Sequence, residues 1–164
     1  MIIVSIAIQL LTIMTRQIAN IKKIRNFLLE GIKDLTSEQL NKIPAGFNNN
    51  IIWNLGHMIA AQQGICYRRA GATPRISDEF WERFRTGSKP DGTVEDAEIE
   101  NIKTLFLSTI DQLETDLGTP VFDNYTSWNT RYNVEISNIN DAVGFVPFHE
   151  GLHLGTIMSL KKLV

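Results

Sequence analysis

From Thr15 to about Lys33 the apolar residues Ile18, Ile21, Ile24, Leu28, Leu29 and Ile32 recur at steps of three and four, with Arg16, Lys22, Lys23 and Arg25 between them. That period predicts an amphipathic helix with one face turned to a core. Leu35-Thr36-Ser37-Glu38-Gln39-Leu40 reads as a capping box, with Thr36 as N-cap, Gln39 reaching back and Leu35 stapled against Leu40. It opens a short helix that stops before Pro44. The asparagines Asn48, Asn49 and Asn50 supply the next N-cap, and a second long helix is predicted from about Ile51 to Ala70, with Gly71 as its stop.

Residues 72–92 are rich in Pro, Gly, Ser and charge around an apolar knot of Phe80, Trp81 and Phe84. They predict a long connection with one helical turn packed on the bundle, the kind of segment that borders functional sites. A third helix is predicted to begin at Thr93, to use Val94, Ile99, Ile102, Leu105, Phe106, Ile110, Leu113 and Leu117, and to end at Gly118 before Pro120. Residues 121–137 are too polar and irregular to predict a strand. The last helix begins near Asn138 or Asn140, and Pro147 within it predicts a kink, because it removes one backbone hydrogen bond and crowds the carbonyl of Val143. The sum is an all-α fold, a four-helix bundle with long crossover connections and no repeat.

Length and composition, 164 residues of which 43% are hydrophobic, suit one domain with a real core, expected over residues 14–164. The apolar run Met1–Met14 lacks a basic leading region and a small-x-small cleavage site, and it falls short of the ~18 apolar residues of a spanning helix. No membrane association is expected, and residues 1–13 read as an extra leader ahead of the natural beginning Met14-Thr15-Arg16. A formal charge of −2, with lysines and arginines spread along the chain, argues against nucleic acid. Cys66 is the sole cysteine, which rules out an intrachain disulfide, a cysteine zinc site or a CxxC pair and fits a reducing, cytoplasmic setting.

The chemistry is concentrated in three histidines. His149 and His153 sit four residues apart on the last helix, so both imidazoles point the same way, the two-toothed grip of many transition-metal sites. His57, on the second long helix, can add a third nitrogen and leave coordination positions open. Its face also carries Trp53, Ala60, Ala61 and Gly64, with small residues that leave space, whereas Leu55, Ile59 and Cys66 lie opposite. The partners of His149 and His153 on their own face are Ala142, Phe145, Val146, Thr156 and Leu160. Spacing alone leaves two readings balanced, a metal site or hydrogen-bonded core histidines. The run His149-Glu150-Gly151-Leu152-His153 also matches HExxH, but residues 154–164 leave no room for a protease's downstream ligand. Glu150 is a candidate to orient a ligand histidine or move a proton. Cys66 is expected as core packing, and no GxSxG elbow, Walker loop or dinucleotide fingerprint is present.

Asn50-Ile51-Ile52-Trp53-Asn54-Leu55-Gly56-His57 and Phe148-His149-Glu150-Gly151-Leu152-His153-Leu154-Gly155 together resemble the DinB-like superfamily of helical-bundle proteins, a likeness that covers essentially everything after Met14. The resemblance implies a divalent metal, often nickel or zinc, on His57, His149 and His153. It also implies homodimers, and, from relatives that use bacillithiol or mycothiol, a thiol cosubstrate. The expectation is a metal-dependent enzyme of the hydrolase or thiol-transferase class acting on a small molecule. Asn54 and Glu150 would stand behind the ligands, and Trp53 would form a pocket wall. The alternatives are a metal-binding bundle without turnover and a metal-free helical interaction module.

Overall fold

The computed structural model describes the chain from Ile2 onward, with side chains at Gln9 and from Thr12 on. Four long helices carry the fold: α1 (Ile2–Ile32), α3 (Ile51–Cys66), α5 (Asp96–Asp116) and α6 (Ile139–Leu160), with two short ones, α2 (Ser37–Asn41) and α4 (Asp78–Phe84), between them. Helix α3 packs on α5 and α6, and α1 packs on the same two, so the principal contacts run around a ring. The expected leader is continuous with α1 in its backbone, while Met1 and the side chains of residues 2–8, 10 and 11 lie outside the described residues. No helix among the described residues is long and apolar enough to cross a membrane.

Local chemistry sets the boundaries. Thr36 and Gln39 exchange both bonds of the predicted capping box, and Asn50 caps α3 by accepting from the Trp53 N–H at 2.8 Å, a contribution of about 1 kcal/mol. The third long helix starts at Asp96 with Glu95 as N-cap, not at Thr93. The cause is Asn41, whose side chain accepts from the Val94 N–H and donates to the Val94 carbonyl, both at 2.8–2.9 Å, holding that residue outside the helix as Val94 itself enters the core. Helix α3 gives way after Cys66 to a 3₁₀ turn, Arg68–Ala70, which Gly71 closes at φ 66°. Helix α6 carries Pro147 without a break.

Two differences from expectation lie in the connections. The expected single turn around Trp81 is a seven-residue helix, α4, capped by Ser77. Residues 121–137 contain a minimal hairpin, β1 (Trp128–Asn129) against β2 (Glu135–Ile136), antiparallel with Trp128 opposite Ile136. Two-residue strands leave no alternation to read in the sequence.

The core falls into two apolar clusters. One gathers Leu28, Ile32, Ile102, Phe106, Ile157 and Leu160, the other Ile18, Ile21, Ile110, Leu113, Val143 and Val146. Along α1, α5 and α6 the boundary between them is polar: Arg25, Thr109 and Glu150. The Arg25 guanidinium is fully buried, donates from Nε and Nη2 to Glu150 Oε1 at 3.0 and 2.6 Å, and reaches the Phe106 carbonyl and Thr109 Oγ1. In sequence Arg25 belongs with the charges that lie between the apolar positions of α1. It instead occupies a core position of the stripe Met14, Ile18, Ile21, Arg25, Leu28 and Ile32, whose alternating steps of four and three are the signal that marks it.

Candidate metal centre

Helices α3 and α6 meet at the level of this polar layer, and the face they share brings the three histidines together. The imidazole centroids of His57 and His153 are 4.8 Å apart, those of His149 and His153 4.7 Å, and those of His57 and His149 5.3 Å. One ring nitrogen from each lies within 4.8 Å of the other two. Tetrahedral nitrogens about 2.1 Å from a zinc ion stand about 3.4 Å apart, so the three side chains converge on a space of ionic size.

Hydrogen bonds decide which nitrogens are free. His57 Nδ1 donates to the Phe84 carbonyl at 2.7 Å, which leaves its Nε2 as the lone-pair nitrogen. Phe84 is the last residue of α4, where carbonyls have no partner within the helix. Its ring lies against Gly56, one residue before His57, and a Cβ there would sit inside that ring. Gly56 thus admits α4 close enough to reach the histidine. Gly64 does the same for Trp81 two turns later. On α6, His153 Nδ1 donates to Asn54 Oδ1 at 2.7 Å. The Asn54 amide can only accept there, because its Nδ2 donates to the Asn50 carbonyl at 2.7 Å and to Asn49 Oδ1 at 3.1 Å. Two of the three imidazoles are thereby fixed in the tautomer a divalent ion requires.

Burial keeps all three rings neutral. It pulls His149 down to about 3, assisted by His153 and His57, and His153 down to about 4, assisted by His57. His57 is lowered by burial against the opposing pull of the Phe84 carbonyl. Neutral, convergent and correctly tautomerised imidazoles are a donor set that can hold a transition metal.

A cleft of about 800 Å³ opens over the histidines, the size of a small-molecule site. Trp53, the expected pocket wall, lines it and stacks on His57 at 4.8 Å with the ring planes 8° apart. Asn54 stands behind His153, and Asn49, which braces Asn54 and lines the cleft, belongs in sequence only to the capping turn before α3. Glu150 is placed in the interior, paired with Arg25, and has no hydrogen bond to a histidine among the described residues. Cys66 is buried, with its thiol pushed up to about 12 by that burial, and serves as packing.

The far side of the cleft comes from Arg85, Thr86 and Gly87 after α4, in the connection expected to border a site, and from segments with no sequence signal for one, Arg68 and Arg69 after α3 and the hairpin residues Trp128, Thr130, Arg131 and Tyr132. No curated protein matches the chain. A family model matches residues 21–157, a span that includes all three histidines, Asn54, the whole of α3 and all of α6 but its last three residues, and it is that of the DinB superfamily, to which this chain belongs.

Proposed function

We propose that the protein is a divalent-metal-dependent enzyme in which Nε2 of His57, Nε2 of His153 and one ring nitrogen of His149 hold a zinc or nickel ion facing the cleft. The observation that carries this reading is the pair of Nδ1 bonds to Phe84 and Asn54, which commit the outer nitrogens and leave the inner ones without a proton. An ion with three protein ligands supplies Lewis acidity that makes a water or thiol nucleophilic near neutral pH, the chemistry of a hydrolase or a thiol transferase. The chain's own part is positional. Phe84 and Asn54 hold two rings in place, Trp53 covers the His57 ring, and the surrounding burial keeps protons off the donors.

Cytoplasmic residence and homodimerisation belong to the same proposal. They rest on a lone buried cysteine and on the family, and sedimentation checks the second.

Elemental analysis of protein purified without a histidine tag, beside the H57A/H149A/H153A variant, tests the site. About one equivalent of transition metal in the parent and none in the variant is expected. No metal in the parent, with melting unchanged on adding zinc or nickel, overturns the reading in favour of a metal-free interaction module. A bound ion that takes up no exogenous ligand would identify a structural site instead.

A further inference from the structure

The charge of the cleft is one-sided. Among the described residues that line it, four are arginines, Arg68, Arg69, Arg85 and Arg131, and none is an aspartate or glutamate, in a chain whose net charge is −2. A concentration of one sign in a concave, partly apolar site focuses the field on whatever enters it.

The four are not equivalent. Arg68 is paired with Asp78 and Arg85 with Glu82, so their charge is already answered by the protein. Arg69 and Arg131 have no carboxylate partner among the described residues. Each lies over an aromatic ring, Arg69 4.8 Å from the centroid of Trp128 and Arg131 6.0 Å from that of Tyr132; Arg68 also lies over Trp81, at 4.3 Å, so it is the lack of a carboxylate that sets Arg69 and Arg131 apart. Stacking of this kind holds a guanidinium flat and leaves its N–H edge free to donate. The rings of Trp128 and Tyr132 belong to the hairpin region that closes the cleft, and all three tryptophans of the chain, Trp53, Trp81 and Trp128, line the same space.

We propose that the cleft binds a small organic anion with a planar, largely apolar body, and that Arg69 and Arg131 receive its carboxylate or comparable oxyanion group. The body lies between the tryptophans, with the histidine cluster beyond it. The inference names the substrate class of the site read above as a metal centre and rests on that reading for its location. The selection by charge needs no ion. Arg–oxyanion bonds are short, charge-assisted and frequently paired, which gives orientation as well as affinity.

The test is calorimetric titration of chelator-treated full-length protein with naphthoate and with naphthalenemethanol, a neutral probe of nearly the same shape. Naphthoate is expected to bind about tenfold tighter, a preference that shrinks as salt is added. In an R69Q/R131Q variant that keeps its circular dichroism spectrum the preference falls to about twofold or less, and in the H57A/H149A/H153A variant it persists. Equal affinity for the two probes, or no binding of naphthoate by the parent, overturns the proposal. So does a preference that survives R69Q/R131Q, or one that disappears with the histidines, which would make the imidazoles the anion's seat. Because metal content is read separately on untreated protein, a parent that carries no metal as purified yet prefers naphthoate after chelation overturns the metal reading alone, and one that carries metal but shows no preference overturns this proposal alone.

Discussion

Asn54 and His153 are 99 residues apart in sequence, yet the Oδ1 of one accepts a 2.7 Å hydrogen bond from the Nδ1 of the other. The bond joins α3 to α6 at the point where the two helices present their imidazoles. It makes the amide a determinant of where the His153 lone pair points, although the amide itself is not one of the converging donors.

Asn54→Leu is therefore expected to weaken metal binding by about 10–100-fold while leaving one site per chain. Chelator competition on the variant measures the loss. Unchanged affinity would mean that packing alone orients His153.

On the other side of the site the contact is steric. Gly56→Ala forces Phe84 and its carbonyl away from His57, and a loss of about 1–3 kcal/mol is expected from urea denaturation, with weaker metal binding alongside. Gly155, also within a helix but with nothing near its missing Cβ, supplies the contrast. Gly155→Ala should stabilise by about 0.5–1 kcal/mol through helix propensity.

Arg25 and Glu150 are both fully buried, so removing either partner alone strands a charge. Arg25→Met or Glu150→Leu is expected to cost about 3–5 kcal/mol, and the double variant considerably less than the sum. A double-mutant cycle by denaturant titration checks this. Additive losses would show that the two side chains are not coupled.

The lowered histidines predict a pH dependence for the metal-free protein. His149 and His153 titrate near 3 and 4 when folded and near the ordinary 6.5 when unfolded, so between those values the unfolded chain binds more protons. Stability then falls as pH drops from about 6.5 towards 4, over and above the loss from carboxylates. Comparing melting temperatures of the parent and an H149A/H153A variant across that range isolates the effect. Parallel curves would show that the rings are as exposed to protons in the fold as out of it.

Much of this was open to reading from the chain. The capping box at Thr36, the Asn50 cap and the placing of His149 and His153 on one helix face follow from periodicities and spacings that act over a few residues, whereas His57 joins them only as the chain's other histidine and through the family resemblance. What escaped was set by contacts between distant segments. Arg25 looks like one more charge in a basic run until its place in the apolar stripe is counted. Glu150, adjacent to a candidate ligand, looks chemical but is turned into the interior, where it pairs with Arg25. The arginines of the cleft come from three separate loops, and no local pattern announces that they converge.

The polar band between the two apolar clusters also constrains how the helices can slide. Moving α6 along its axis by one turn, about 5.4 Å, would carry Glu150 into hydrocarbon and leave Arg25 unanswered, an error that purely apolar packing would tolerate. The same slip would pull His149 and His153 out of step with His57. The buried pair thus works as a detent, and helix register, more than any bond among the imidazoles, sets the size of the space they enclose.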